Sequence, residues 1–156
     1  MRSNLNILVF APFLLLLSAC SSAPQKYSSA PQTPDRSIVV NTALQQIGKP
    51  YHYGGSNPAT GFDCSGLVYY SYQAAGIEVP RTSGQQLRES RRVNGLWLQP
   101  GDLLFYKTSN KPSHVGIYIG DGKFVHAPSS GNKVEISNME SKYWRNRLYS
   151  TGSFLY

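Results

Sequence analysis

The pattern of apolar and polar residues divides the chain into three parts. Residues 5–17 form an apolar run behind Arg2 that is too short to span a bilayer as a helix and is typical of a secretory signal. Residues 20–36 are mostly Ser, Ala, Pro and Gln, which cannot bury a core, so they predict a flexible tether. From residue 37 apolar residues recur with helical and strand periods, which predicts one folded domain over residues 37–156.

Three helices are predicted in the first half of this domain, at residues 37–47, from Cys64 onward, and over residues 83–92. Asp63 is a preferred N-cap, and small and apolar residues follow it at helical spacing, so the second helix is expected to begin at Cys64. Thr82 or Ser83 can cap the third helix in the same way.

Strand patterns dominate the second half. Short apolar segments are separated by polar loops and by glycine turns, and they predict strands at residues 103–106, 114–119, 123–127, 134–136 and 149–155. Because the helices come first and the strands follow, the sequence predicts an α+β domain with an antiparallel sheet.

The end of the signal segment resembles the lipobox of bacterial lipoproteins, with the residues Leu17-Ser18-Ala19-Cys20. On this interpretation residues 1–19 are removed and Cys20 carries acyl chains that anchor the tether in a membrane. Ser21 then favours the outer membrane, with the domain facing the periplasm. The alternative is an ordinary secretory signal that contains a cysteine by chance.

Charge narrows the possible partners. The formal net charge is +7 and falls to +6 once Arg2 is removed with the signal. No stripe of Lys and Arg interleaved with aromatic residues is present, so we do not expect nucleic-acid binding. The arginines favour contact with an anionic polymer, and an ordinary solvated surface is the alternative.

Cys64 is the principal candidate for chemistry. With Cys20 lipidated it has no disulfide partner in an oxidising compartment, and a helix N-terminus is expected to lower the pKa of its thiol. Two histidines, His114 and His126, lie on predicted neighbouring strands, and His114 is the better placed base. The alternatives are a buried core cysteine and an open zinc site of these three residues, although short metal-ligand spacings are missing.

Six motifs occur in order along the domain and together resemble the NlpC/p60 family of cell-wall cysteine peptidases, over about residues 37–156. The layout is similar to the small NlpC and Spr-type lipoproteins. The motifs are Tyr51-His52-Tyr53-Gly54-Gly55, Phe62-Asp63-Cys64-Ser65-Gly66, Pro80-Arg81-Thr82, Pro100-Gly101-Asp102-Leu103-Leu104-Phe105, His114-Val115-Gly116-Ile117-Tyr118 and Phe124-Val125-His126-Ala127.

The resemblance implies a papain-like single domain whose helices pack on a small antiparallel sheet. It implies that Cys64 is the nucleophile, that His114 is the general base and that His126 orients His114. It also implies that Tyr53 holds the oxyanion beside the backbone N–H of Cys64. No cofactor and no metal are implied.

The same resemblance assigns Asp63, Ser65 and Arg81 to substrate binding. The alternatives are an N-cap role for Asp63, and local packing or an ordinary surface position for Ser65 and Arg81. The implied reaction is cleavage of a peptidoglycan stem peptide next to meso-diaminopimelate. The bond is the D-glutamyl bond before that residue or the D-alanyl cross-link. An amidase or acyltransferase of the same superfamily and a non-catalytic wall-binding lipoprotein remain alternatives. We expect a monomer.

A catalytic pair of histidines requires a particular hairpin register. A plain two-residue turn at Asp121 and Gly122 would place His114 and His126 on opposite faces of the sheet. We therefore predict a three-residue loop or a compensating bulge, with Val115, Ile117 and Ile119 on the face opposite to both histidines. Gly116 would then lie opposite His126 and leave room for its imidazole.

Overall fold

The computed structural model describes residues 35–156. The predicted signal peptide, Cys20 and all but the last two residues of the predicted tether lie outside the described residues. The helices of the described part are too short or too polar to cross a membrane.

Four α-helices and one 3-10 turn form in the described residues. They are α1 (Arg36–Leu44), α2 (Cys64–Ala74), α3 (Ser83–Glu89), the 3-10 turn Gly95–Trp97, and α4 (Lys142–Arg145). The predicted N-cap of α2 is confirmed, because the Asp63 carboxylate accepts the backbone N–H of Gly66 at 2.7 Å. Thr82 caps α3 through the N–H of Gln85.

Eight strands form two antiparallel sheets. The strands are β1 (Ser56–Asn57), β2 (Gly61–Phe62), β3 (Arg91–Arg92), β4 (Leu103–Tyr106), β5 (His114–Gly120), β6 (Lys123–His126), β7 (Glu135–Asn138) and β8 (Leu148–Ser153). β1 and β2 form a small hairpin, and the other six pair in the order β3-β8-β4-β5-β6-β7. The predicted α+β class is confirmed. The third helix ends three residues early, because Arg91 and Arg92 pair with β8 instead.

The two faces of the large sheet carry separate apolar clusters. On one face Val115, Ile117 and Val125 pack against α1 and α2. On the other face Tyr106 and Phe124 pack with other side chains, including that of Trp144 from α4. Because successive side chains alternate between the faces of a strand, His114 and His126 lie on the second face.

The hairpin between β5 and β6 contains the predicted compensating bulge. Gly120 pairs with Lys123 across a two-residue turn, and the register then shifts so that Ile117 pairs with Val125. The bulge thus returns the histidines to one face. The expected reason for Gly116 was wrong, because a Cβ there would lie 2.5 Å from the ring of Phe124. The glycine makes room for this phenylalanine and not for the imidazole of His126.

Candidate active site

Cys64 lies where the first turn of α2 meets the beginning of β5. Its sulfur is 3.9 Å from the carbonyl oxygen of Ser113, and the backbone N–H of Val115 also points to it. The thiol therefore contacts the chain on both sides of His114. The side chain is half-buried and lines a groove of about 510 Å³.

The environment of Cys64 differs from the expectation for an exposed helix N-terminus. Burial raises the pKa of the Cys64 thiol, and the neighbouring negative charge of Asp63 raises it further. The backbone N–H groups of Val115 and Ser65 lower it by less than burial raises it. The prediction of a lowered thiol pKa was therefore wrong, because loss of water outweighs the favourable helix end. At neutral pH the resting form is the thiol.

The two candidate histidines are directly hydrogen bonded. His114 Nε2 is 2.9 Å from His126 Nδ1, and His126 Nε2 is in turn 2.9 Å from the hydroxyl of Ser137 on β7. If His114 keeps Nδ1 as the acceptor for the thiol proton, its Nε2–H donates to His126 and the Nε2–H of His126 donates to Ser137. Both imidazole rings are then the tautomer that carries its proton on Nε2.

Aromatic side chains exclude water from this pair. The indole of Trp144 stacks on the ring of His114 at 5.5 Å between centroids and meets the ring of His126 edge-on at 5.0 Å. Burial lowers the pKa of His114 to about 4. Burial, and to a smaller extent the charge of His114, lowers the pKa of His126 to about 3. The Glu135 carboxylate, 3.9 Å from His126 Nε2, does not reverse this shift.

A neutral thiol beside a neutral imidazole defines what the site can do. The imidazole of His114 is an unprotonated base at neutral pH, so it can accept the thiol proton as the sulfur attacks. His126 and Ser137 hold the ring in position through two successive hydrogen bonds. This arrangement favours covalent catalysis by the thiol.

Asp63, Ser65 and Arg81 form one hydrogen-bonded network at the rim of the groove. The Arg81 guanidinium contacts both carboxylate oxygens of Asp63, at 3.0 and 2.9 Å, and the Ser65 hydroxyl at 3.0 Å. Burial alone would raise the pKa of Asp63, but the hydrogen bonds and charge of Arg81, with the N–H of Gly66, hold it below its ordinary value. The Asp63 carboxylate therefore caps α2 and also binds Arg81.

The two tyrosines of the glycine-containing loop, Tyr51 and Tyr53, differ in how far their side chains are buried. Both tyrosines line the groove that contains Cys64, but Tyr53 is 87% exposed, whereas Tyr51 is partly buried against the core. Burial, and then the charges of Cys64 and Asp63, raise the pKa of the Tyr51 hydroxyl. The geometry favours Tyr51 over Tyr53 as the tyrosine nearest the thiol. The sequence places both in one motif, and spacing alone does not choose between them.

The positions of the side chains also bear on the weaker base candidate, His52, and on the zinc-site alternative. His52 is exposed and has no part in the histidine pair. Within residues 35–156 no three His, Cys, Asp or Glu side chains are grouped to hold a metal ion. The facing nitrogens of His114 and His126 are also occupied by their mutual hydrogen bond. Sequence reasoning missed Ser137 and Trp144, because neither carries a local motif.

A half-buried cysteine at a helix N-terminus, next to the strand of an antiparallel sheet that carries His114, is the arrangement that the sequence resemblance implied. The model of the NlpC/P60 family matches residues 48–153. The chain therefore belongs to the NlpC/P60 family.

A curated relative and two solved structures illustrate the family. Murein DD-endopeptidase MepH of Escherichia coli (strain K12) is 43% identical over 113 residues, covering 69% of this chain and 42% of MepH. The chain spans less than half the length of the curated relatives it matches. An NlpC/P60 family protein from Bacillus cereus ATCC 10987 is similar at 35% identity with a TM-score of 0.73, covering 80% of this chain and 41% of that chain.

The second structure is RipD from Mycobacterium tuberculosis, described as a non-catalytic NlpC/p60 domain protein adapted to peptidoglycan binding. It is 26% identical with a TM-score of 0.66, and the match covers 77% of this chain and 97% of RipD. The family fold therefore occurs in proteins with and without catalysis.

The buried histidines predict a loss of stability in mild acid. Their pKa is lower in the folded than in the unfolded chain, so their neutral forms support the fold above about pH 6.5, and this support is lost as pH falls toward the folded values near 4 and 3. Between pH 6.5 and 5 each histidine should cost roughly 2 kcal/mol of unfolding free energy. Urea unfolding at a series of pH values measures this slope.

His126→Gln should flatten the slope by removing one of the two groups. His52→Gln is the matched control, because His52 is exposed, and its slope should equal that of the unchanged protein. A stability that stays constant from pH 7 to 5, or equal slopes in both variants, would show that the pair is not buried in its neutral form.

Proposed function

We propose that this chain is a peptidoglycan endopeptidase that acts through Cys64. The observation that carries the proposal is the hydrogen-bonded series from His114 through His126 to Ser137, beside a thiol that contacts the chain on both sides of His114. Membership of the NlpC/P60 family, and similarity to a murein endopeptidase, support the substrate class.

The proposed reaction begins with attack of the Cys64 sulfur on the carbonyl carbon of a stem-peptide amide. The thiol proton passes to Nδ1 of His114 as the carbon–sulfur bond forms. The imidazolium then gives this proton to the departing amine as the carbon–nitrogen bond breaks, leaving a thioester. Water, deprotonated by His114, hydrolyses the thioester and restores the thiol. These proton transfers and bond changes need no cofactor.

The oxyanion formed by the attack needs hydrogen-bond donors at the beginning of α2. The backbone N–H of Cys64 and the hydroxyl of Tyr51 are the donors we propose. Tyr51 replaces Tyr53 in this role, because Tyr53 is largely in solvent. The backbone of Tyr51 is held by its N–H, which donates to the carbonyl oxygen of Asn132 at 2.8 Å.

Two grooves lie beside the reacting residues, one lined by Cys64 and one by His114. The groove at Cys64 is lined by Tyr51, Ser65 and Arg81, among others. A second groove of about 210 Å³ contains His114 and Trp144. Because His114 protonates the departing amine, we propose that the second groove receives the leaving part of the peptide and the first receives the acyl part. Ser65 and Arg81 are then the groups available to contact the acyl part.

A non-catalytic role in wall binding is the second candidate, favoured by the similarity to RipD. The presence here of a thiol, a neutral base and an orienting pair argues for turnover. An amidase or acyltransferase would use the same chemistry on another bond, and only the products distinguish them.

We also propose that residues 1–19 are a signal, that Cys20 is lipidated, and that the domain works on the periplasmic side of the outer membrane. The sequence around Cys20 and the composition of residues 20–36 support this proposal. Anchoring would keep a cross-link hydrolase within reach of the wall.

The products of wall digestion test the proposed reaction. Purified protein should convert isolated sacculi to muropeptides in which the D-alanyl cross-link or the D-glutamyl bond is cut, and mass spectrometry identifies which. Cys64→Ser should lower the rate by about three orders of magnitude or more, since a buried hydroxyl is a far weaker nucleophile than a thiol. Its circular dichroism and melting should match those of the unchanged protein.

Iodoacetamide should abolish the activity, and a chelator should not. Inhibition by the chelator alone, or full activity in Cys64→Ser, contradicts the cysteine mechanism. Release of intact stem peptides from the glycan would indicate an amidase. Binding to sacculi without any cleavage would favour the wall-binding candidate.

The two tyrosines provide a matched pair of variants. Tyr51→Phe should lower kcat by about a hundredfold with little change in KM, because the lost donor acts on the oxyanion and not on the bound substrate. Tyr53→Phe removes the same atom from an exposed ring and should change kcat little. Steady-state kinetics on a purified muropeptide measures both. The reverse order of effects would return the role to Tyr53.

A further inference from the structure

Two neighbouring apolar side chains are held outward by the 3-10 turn Gly95–Trp97. Leu96 is 87% exposed and Trp97 is 74% exposed. The side chain of Asn94 accepts the N–H of Leu96 at 3.0 Å, and its carbonyl accepts the N–H of Trp97 at 2.9 Å. Leu98 then packs against the second apolar cluster of the sheet. The backbone of the turn therefore presents both side chains to the exterior.

Cationic and aromatic groups surround this turn. A groove of about 340 Å³ contains Trp97, Tyr156, Arg36 and Arg91. The guanidinium of Arg91 lies 5.0 Å above the ring of Tyr156, and Arg92 beside it is exposed. The surface combines apolar tips with positive charge, which suits the boundary between lipid headgroups and acyl chains.

The segment that directly follows the turn lies at the ends of β5 and α2 that are far from His114 and Cys64. The N–H of Gln99 binds the Asp102 carboxylate, and the Asp102 carbonyl accepts the N–H of Tyr118. Tyr118 is four residues from His114 along β5, or roughly 14 Å at the rise of a strand. The hydroxyl of Tyr72, near the end of α2, likewise binds the carbonyl of Gly101, roughly 12 Å along the helix from Cys64.

The chain also enters the domain at the end that carries the turn. Arg36, the first residue of α1, binds the Asp102 carboxylate at 2.7 Å and the carbonyl of Pro100 at 3.2 Å. Asp35, the first residue that the structure describes, therefore lies at this end. Cys20 lies fifteen residues before Asp35 in the sequence, so a lipid on it would keep this end of the domain within one tether length of the membrane.

We propose that Leu96 and Trp97 dock the domain on the lipid surface in which Cys20 is anchored. This inference rests on the proposed lipidation of Cys20 but not on the proposed reaction. The tether raises the local concentration of membrane surface, so a small apolar contact suffices, and Arg91 and Arg92 meet anionic headgroups. In this orientation Cys64 faces away from the membrane and toward the wall, and hydrolysis is limited to wall material close to the membrane.

A carbohydrate strand is a different occupant for an exposed tryptophan. We favour lipid because the turn lies at the end away from Cys64, where a glycan attached to the reacting peptide would not be expected. Leu96, the more exposed of the two, also offers a sugar no polar contact. The experiment below separates the two occupants.

The two tryptophans of the chain allow a direct test, because Trp97 lies in the turn and Trp144 lies beside His114. The full-length lipidated protein is reconstituted in vesicles of phosphatidylethanolamine with a minority of brominated phosphatidylglycerol. Trp144→Phe reports Trp97 alone, and Trp97→Phe reports Trp144 alone. Bromine should quench Trp97 several-fold more strongly than Trp144. Adding Leu96→Ser should reduce the quenching of Trp97, and Tyr149→Ser, a change at another exposed aromatic residue, should not.

Equal quenching of the two tryptophans, or none, overturns the proposal. So does a Trp97 that is unquenched in vesicles but shifts its emission with isolated glycan strands, which identifies the turn as a carbohydrate platform. Mass spectrometry of the reconstituted protein establishes whether Cys20 carries lipid, and absence of the lipid removes the basis of the proposal. Turnover of a soluble muropeptide is measured separately. Failure of the proposed reaction can then be distinguished from failure of the proposed membrane docking.

Discussion

The hydrogen bond between His114 Nε2 and His126 Nδ1 is the interaction on which the candidate site depends. It exists only because both residues lie on one face of the sheet, and the bulge between Tyr118 and Gly120 sets that register. A hairpin of the same turn length without the bulge would put the two rings on opposite faces. The third partner, Ser137, lies on β7. The pairing of β7 with β6 brings its hydroxyl within hydrogen-bond distance of His126. One irregularity in one hairpin therefore determines whether the thiol has an oriented base.

Burial determines the protonation states of the site. Trp144 and its aromatic neighbours exclude water from the histidines, while the contact of α2 with β5 removes water from Cys64. Both effects favour neutral forms, so the resting site is a thiol and an imidazole, not an ion pair. Asp63 remains charged in the same region because Arg81 is hydrogen bonded to it. In the proposed reaction, charge therefore appears on Cys64 and His114 only during attack.

Local signals in the sequence predicted much of this site. The cap at Asp63 and the alternation of β5 and β6 depend on neighbours along the chain, and both predictions were confirmed. The direction of the thiol pKa was missed, because burial depends on how α2 packs on the sheet. Ser137 and Trp144 were missed for the same reason, since each reaches the histidines from a distant segment. Tyr51 and Tyr53 share a motif, and only the folded loop shows that Tyr51 packs against the core while Tyr53 is exposed.

The proton positions on the two imidazoles test the account most directly. Long-range nitrogen–proton NMR spectra of the protein labelled at histidine distinguish the tautomers at pH 7. The account predicts that His114 and His126 are both neutral and both carry their proton on Nε2, which leaves Nδ1 of His114 free to accept the thiol proton. A proton on Nδ1 of His114, or a charged His114 at this pH, would contradict it.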